Sequence, residues 1–168
     1  MLSQASGTIA GMTRIRASAV VHYTAKHLED LLDTYMDERR RGDGSIYLPL
    51  RVRLGETHRD ALSIDHDVVM RFRRGPDPQG LNDTFYVDWA PTGGGPYPTF
   101  TGFMNVYPEA DLRLSRIEID GTYVPPGGLL GRVFDASVGK RMAQASLLDF
   151  VNRLAADITP AFSSQTRM

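Results

Sequence analysis

The strongest constraint on this chain lies in its last third. A strand-like alternation from Leu112 to Val124 ends at Pro125-Pro126-Gly127-Gly128, and a helical pattern begins at once. From Leu129 to Ile158 there is no proline, and the glycines are Gly131 and Gly139. Apolar residues recur at Leu130, Phe134, Val138, Met142, Ala145, Leu148, Val151, Ala155 and Ile158, the three-or-four spacing of one helical face. A helix of about eight turns needs a large partner surface. The preceding stretch reads as antiparallel strands, so the expected architecture is α+β: a curved antiparallel sheet wrapped around a long C-terminal helix, with a pocket between them.

Composition narrows the function classes. A chain of 168 residues, 42% hydrophobic, can bury one core without crosslinks or metals. Cysteine is absent, which removes disulfides, thiolate nucleophiles and cysteine metal sites together. With 19 Lys+Arg against 20 Asp+Glu, the chain has no global attraction to nucleic acid or anionic membranes. Met1 to Met12 lacks a basic segment followed by an apolar core, and no apolar run is long enough to span a bilayer. The expectation is a cytoplasmic protein without integral membrane association. Its division would be an N-terminal extension over 1–14, a single domain over 15–160 and a tail over 161–168, with a homodimer left open.

Along the chain, Ile15, Ala17, Ala19, Val21 and Tyr23 alternate with polar neighbours, giving a first strand with a mostly small face. Thr24 is placed to cap a helix running to Arg40, with an apolar stripe at Leu28, Leu31, Leu32, Tyr35 and Met36. Ile46 to Leu54 alternates again, and Pro49 predicts an edge strand because it lacks a ladder donor. Leu62, Ile64, His66, Val68, Met70 and Phe72 form the next inward face. A loop is expected over Arg74–Asn82, then strands over Thr84–Ala90 and Thr99–Tyr107 separated by a glycine-rich turn. The inward phase then shifts from Leu112 and Leu114 to Ile117, Ile119 and Tyr123, which predicts a bulge at Ser115-Arg116.

The run Phe100-Thr101-Gly102-Phe103-Met104-Asn105-Val106-Tyr107, then Leu112-Arg113-Leu114, then Ile119 to Gly128 leading into Gly131-Arg132-Val133-Phe134-Asp135, resembles the helix-grip superfamily often labelled SRPBCC or START-like. That superfamily includes START lipid-transfer domains, birch-pollen-allergen-like proteins and bacterial polyketide cyclases. The resemblance spans roughly Ile15 to Ile158 and implies the helix-grip fold with a cavity between sheet and helix. It says little about activity, since one such cavity serves carriage, sensing, cyclisation and other chemistry. In place of the usual pair of short helices after the first strand, this chain shows one longer helix.

His66 is the candidate catalytic residue, because alternation places an imidazole among apolar neighbours on the inward face, where it could act as base or donor or serve as a structural histidine. Trp89 lies on the apolar Phe85-Val87-Trp89 phase, as pocket wall or plain core, and that phase leaves Asp88 to solvent. Tyr23 and Tyr123 put hydroxyls at strand ends, within reach of a head group or as loop anchors. Met70, Met104, Phe134, Val138 and Met142 complete the expected lining, equally readable as core filler. Arg141, beside that stripe, reads as solvated. No metal site is expected, since His22, His27 and His58 lack ligand spacing, and no cofactor is expected. Gly127 to Gly131 lacks the Lys-Ser/Thr of a phosphate loop. Arg39-Arg40-Arg41 and Arg71, Arg73, Arg74 read as solvated faces rather than nucleic-acid sites.

Two functions follow. The first is binding of a hydrophobic small molecule, such as a lipid, polyketide or aromatic metabolite, without catalysis. The second is a cyclase, dehydratase or hydrolase using the same cavity, with His66 moving a proton. A weaker third is an interaction module whose groove is filled by side chains.

Overall fold

The computed structural model describes residues 13–54, 62–78, 83–93, 98–124 and 136–159; the side chains of 51–54, 62–66 and 136–139 lie outside the description. Among these residues the strands are β1 (Thr13–Val21), β2 (Ile46–Leu54), β3 (Leu62–Pro76), β4 (Asp83–Pro91), β5 (Thr99–Pro108) and β6 (Ser115–Val124), and the helices are α1 (Ala25–Arg39) and α2 (Ala136–Ile158). The strands form one sheet in the order β1-β6-β5-β4-β3-β2, antiparallel throughout. Period-2 burial is clear in β1, where Ile15, Ala17 and Val21 are buried and their neighbours are not. Pro49 lies on an edge strand, as its missing donor requires.

Helix α2 packs against both edge strands, β1 and β2, as well as β6. A flat six-stranded sheet would hold its edges about 24 Å apart, and a helix is only about 10 Å across. One helix can touch both edges only if the sheet curls around it. Two hydrogen bonds fix that grip: Gln144 Nε2 donates to the Arg16 carbonyl on β1 at 2.6 Å, and the Arg153 guanidinium donates to the Pro49 carbonyl on β2. The small side chains of Ala17 and Ala19 lie on the strand against which α2 rests. This is the helix-grip arrangement, a curved antiparallel sheet around a C-terminal helix.

A single helix, α1, follows β1, and it buries Leu28, Leu32 and Met36 completely. Thr24 occupies its N-cap in an extended conformation, but the expected side-chain cap is not formed. Its carbonyl instead accepts the first backbone bond, from Leu28 N–H at 2.9 Å. Arg74 anchors α1 to the sheet by gathering Glu29, Asp33 and Asp83. The hydrogen bond to Asp33, followed by the neighbouring charges, raises its pKa further.

Three further expectations are corrected. The loop placed over Arg74–Asn82 begins later, because β3 continues to Pro76, which pairs with Asp83. A proline at a strand terminus costs no ladder bond, and the Tyr86 hydroxyl donates to the Pro76 carbonyl there. The bulge at Ser115-Arg116 is absent: β6 pairs in unbroken register with β5 and β1. Leu112, 71% exposed, belongs to the turn before the strand, closed by Leu114 N–H on the Asp111 carbonyl. The buried face of α2 is also rotated from the predicted stripe. Leu147, Phe150 and Leu154 are buried and Leu148 is exposed, while Met142, Val151 and Ile158 belong to both faces. Leu130 and Phe134 lie outside the described residues.

Candidate functional site

The register brings one row of residues across all six strands on the concave face: Ile46, Met70, Trp89, Phe100, Tyr123 and Thr13 in spatial order. Residues directly opposite in antiparallel strands share a face, so their side chains meet. Trp89 stacks on Phe100 at 4.3 Å between centroids, and Phe150 of α2 approaches Trp89 at 5.9 Å. In the neighbouring row Gly102 faces Gly121, and the Phe100 ring lies over both. The glycines leave the space that the ring occupies. Trp89 and Tyr123 are buried as residues, but the buried side-chain atom without a hydrogen-bond partner among the described residues is Arg153 Nε.

The predicted lining residues are distributed as follows. Met70, Trp89, Met104, Tyr123 and Met142 are all buried in the one hydrophobic core that the sheet shares with α1 and α2. Tyr23 is buried too, but its hydroxyl donates to the carbonyls of Ile158 and Thr159, at the end of α2, at 3.2 and 3.4 Å. Burial raises its pKa. His66 pairs with Leu50 in the β2–β3 register, on the backbone phase of Val68 and Met70; its side chain and that of Val138 are outside the description, as is Phe134 entirely. The buried phase of β4 is Phe85-Val87-Trp89, and Asp88 lies on the other. Phe100 and the glycine pair were not predicted. Only the cross-strand register reveals them, although Phe100 and Gly102 both sit in the motif that carries the family resemblance.

The convex face is polar and ion-paired. Arg14 makes two bonds to Asp120, at 2.8 and 2.6 Å, and these hold the Asp120 carboxyl below its ordinary range. Glu118, the one buried carboxylate among the described residues, is held between Arg16 and Arg116. An open depression of about 1330 Å³ crosses this face, lined in part by Arg14, Arg16, Thr101, Phe103, Glu118 and Asp120. A second, of about 520 Å³, lies toward the α1–β2 turn. Both lie away from the concave side where the sequence placed the pocket. The charges lining the larger one are already paired with one another. Among the described residues no group of three or more histidine, aspartate or glutamate side chains could hold a metal ion. No helix among them is long and apolar enough to cross a membrane.

No protein-family model and no curated protein matches the chain. Among solved structures, the chain is similar to TTHA0849 from Thermus thermophilus at 14% identity and a TM-score of 0.49, covering 89% of this chain and 99% of that one. It is also similar to the Zhui aromatase/cyclase from a Streptomyces species at 11% identity and a TM-score of 0.47, covering 92% of this chain and 94% of that one.

Proposed function

We propose that this chain binds a hydrophobic small molecule, of the lipid, polyketide or aromatic-metabolite class, between the concave face of the sheet and α2. The observation that carries the reading is the Met70-Trp89-Phe100-Tyr123 row, an apolar and aromatic wall that also holds an indole N–H and a phenol hydroxyl. Ligand sites combine such walls with a few polar groups that orient the guest. Methionine at Met70, Met104 and Met142 gives the wall side chains that repack around imprecise shapes. A guest hiding about 200 Å² of apolar surface would gain about 5 kcal/mol before the cost of its immobilisation. Acid–base chemistry of the cyclase, dehydratase or hydrolase kind would additionally need His66 on this face.

Native mass spectrometry of the purified chain, followed by extraction and identification of any retained molecule, tests the reading. A stoichiometric apolar guest that is lost in Trp89→Ala supports it. A chain that stays empty, and whose Trp89 emission is unmoved by the neutral probe N-phenyl-1-naphthylamine, contradicts it. Trp89 is the single tryptophan of the sequence, so its emission reports this wall alone.

A further inference from the structure

The two arginine runs that read separately as solvated faces are brought together by the fold. Arg40, at the end of α1, and Arg71 and Arg73, on the convex phase of β3, line the depression of about 520 Å³ together with Asp43, Tyr86 and Asp88. We propose that this depression binds the phosphate group of a small soluble molecule, with Arg71 and Arg73 as its principal ligands.

The geometry supports this in three ways. Arg40 is already fixed: its guanidinium donates to the Phe72 carbonyl at 3.1 Å and the Gly44 carbonyl at 3.3 Å and pairs with Asp37. It supplies a positioned charge at the rim. Arg73 lies over the Tyr86 ring, 4.7 Å from its centroid, and Tyr86 is held by its own bond to the Pro76 carbonyl, so this guanidinium has a platform and unused donors. Arg71 forms no ion pair among the described residues and stands two positions from Arg73, about 7 Å along the same face of the strand. Two guanidinium forks at that spacing can converge on one phosphate, whose charge and planar-fork geometry suit arginine. A volume of this size is in the range of small-molecule sites.

The acidic groups set the sign of the control. The Asp43 carboxylate accepts bonds from the Ser45 hydroxyl and N–H. Asp88 stands directly opposite Arg71 in the β3–β4 register without forming an ion pair. It is the group that competes with an incoming anion. Arg74 is on the concave phase and is held by Glu29, Asp33 and Asp83, so it adds field and not a ligand.

The test is isothermal titration of inorganic pyrophosphate into the full chain at constant ionic strength. The expected result is one saturable site. It should weaken by about tenfold or more in Arg71→Gln/Arg73→Gln, as loss of two charge-assisted contacts requires, and tighten in Asp88→Asn. The substitutions are on a solvated face, and an unchanged thermal midpoint shows that the fold is intact. Absence of saturable binding overturns the proposal, as does binding that the double variant leaves unchanged. A second arm uses phosphatidylglycerol vesicles against phosphatidylcholine vesicles. Sedimentation with the former in the absence of pyrophosphate binding assigns the arginines to a lipid surface and also overturns it.

Discussion

A methyl group added at Gly102 or Gly121 would lie 2.4 Å from a backbone carbonyl oxygen of the facing strand and within 2.7 Å of the Phe100 ring. The contact with the carbonyl oxygen is with backbone and cannot be relieved by turning a side chain. Gly102→Ala and Gly121→Ala are each expected to lower stability by about 1–3 kcal/mol, read as a lower urea midpoint with an unchanged slope. An unchanged midpoint would show that the strands do not approach this closely. Tyr35 gives a signed prediction. Burial, and then its 2.6 Å bond to Asp157, pushes its phenol up to about 12 from 10.0. The folded state therefore holds this proton more tightly than the unfolded one. Its contribution is complete below pH 10 and is lost as pH rises towards 12. Tyr35→Phe should flatten the alkaline decline of stability across that window, and an identical decline in both proteins would contradict the assignment. The sequence placed the phase of Trp89 and Met70 correctly because the apolar weight of Phe85, Val87 and Trp89, and of Val68, Met70 and Phe72, chooses between the two alternating phases. It missed Phe100 as the ring over the glycines because that contact depends on register between strands, which no local pattern carries.

At the scale of elements, α2 tests the account most sharply because two apolar stripes overlap on it. Spacing alone favoured the Ala145-Leu148-Val151 stripe; the bulkier Leu147, Phe150 and Leu154 are the residues that reach the sheet. Leu147→Ala should cost about 2–5 kcal/mol, whereas Leu148→Ala should stay within about 0.5 kcal/mol of the parent. The reverse ranking would mean that the helix is rotated. The two edge contacts give a milder effect. Gln144→Ala and Arg153→Ala should each cost about 1 kcal/mol and speed amide exchange on the edge strand that each one holds; no change in either strand would separate the contacts from the grip. Strand existence, the edge position of β2 and the single helix α1 were all legible from alternation, proline and stripe. The bulge at Ser115-Arg116 was misread because Leu112, a turn residue, was counted in the strand pattern, and β3 was cut short because Gly75-Pro76 looks like a turn when its pairing with Asp83 and Thr84 is out of sight.

At the scale of the molecule, curvature decides what the chain can do. A six-stranded sheet whose two edges both meet one helix presents a single concave apolar face, and the polar groups that remain are sorted onto the convex side, where Glu118 and Asp120 are taken up by arginines. Overall composition could not show this sorting, because a net charge of −1 hides both the paired charges of one convex region and the arginines gathered in another. Under the proposed function the concave face, and not the convex one, receives an apolar guest. Methyl NMR of protein labelled at the methionine ε-carbons, with N-phenyl-1-naphthylamine as the guest, tests it most directly. Saturable shifts and guest-to-methyl cross-relaxation are expected at Met70, Met104 and Met142, with Met36, on the buried face of α1, the least affected. Cross-relaxation at none of those three methyls would contradict it.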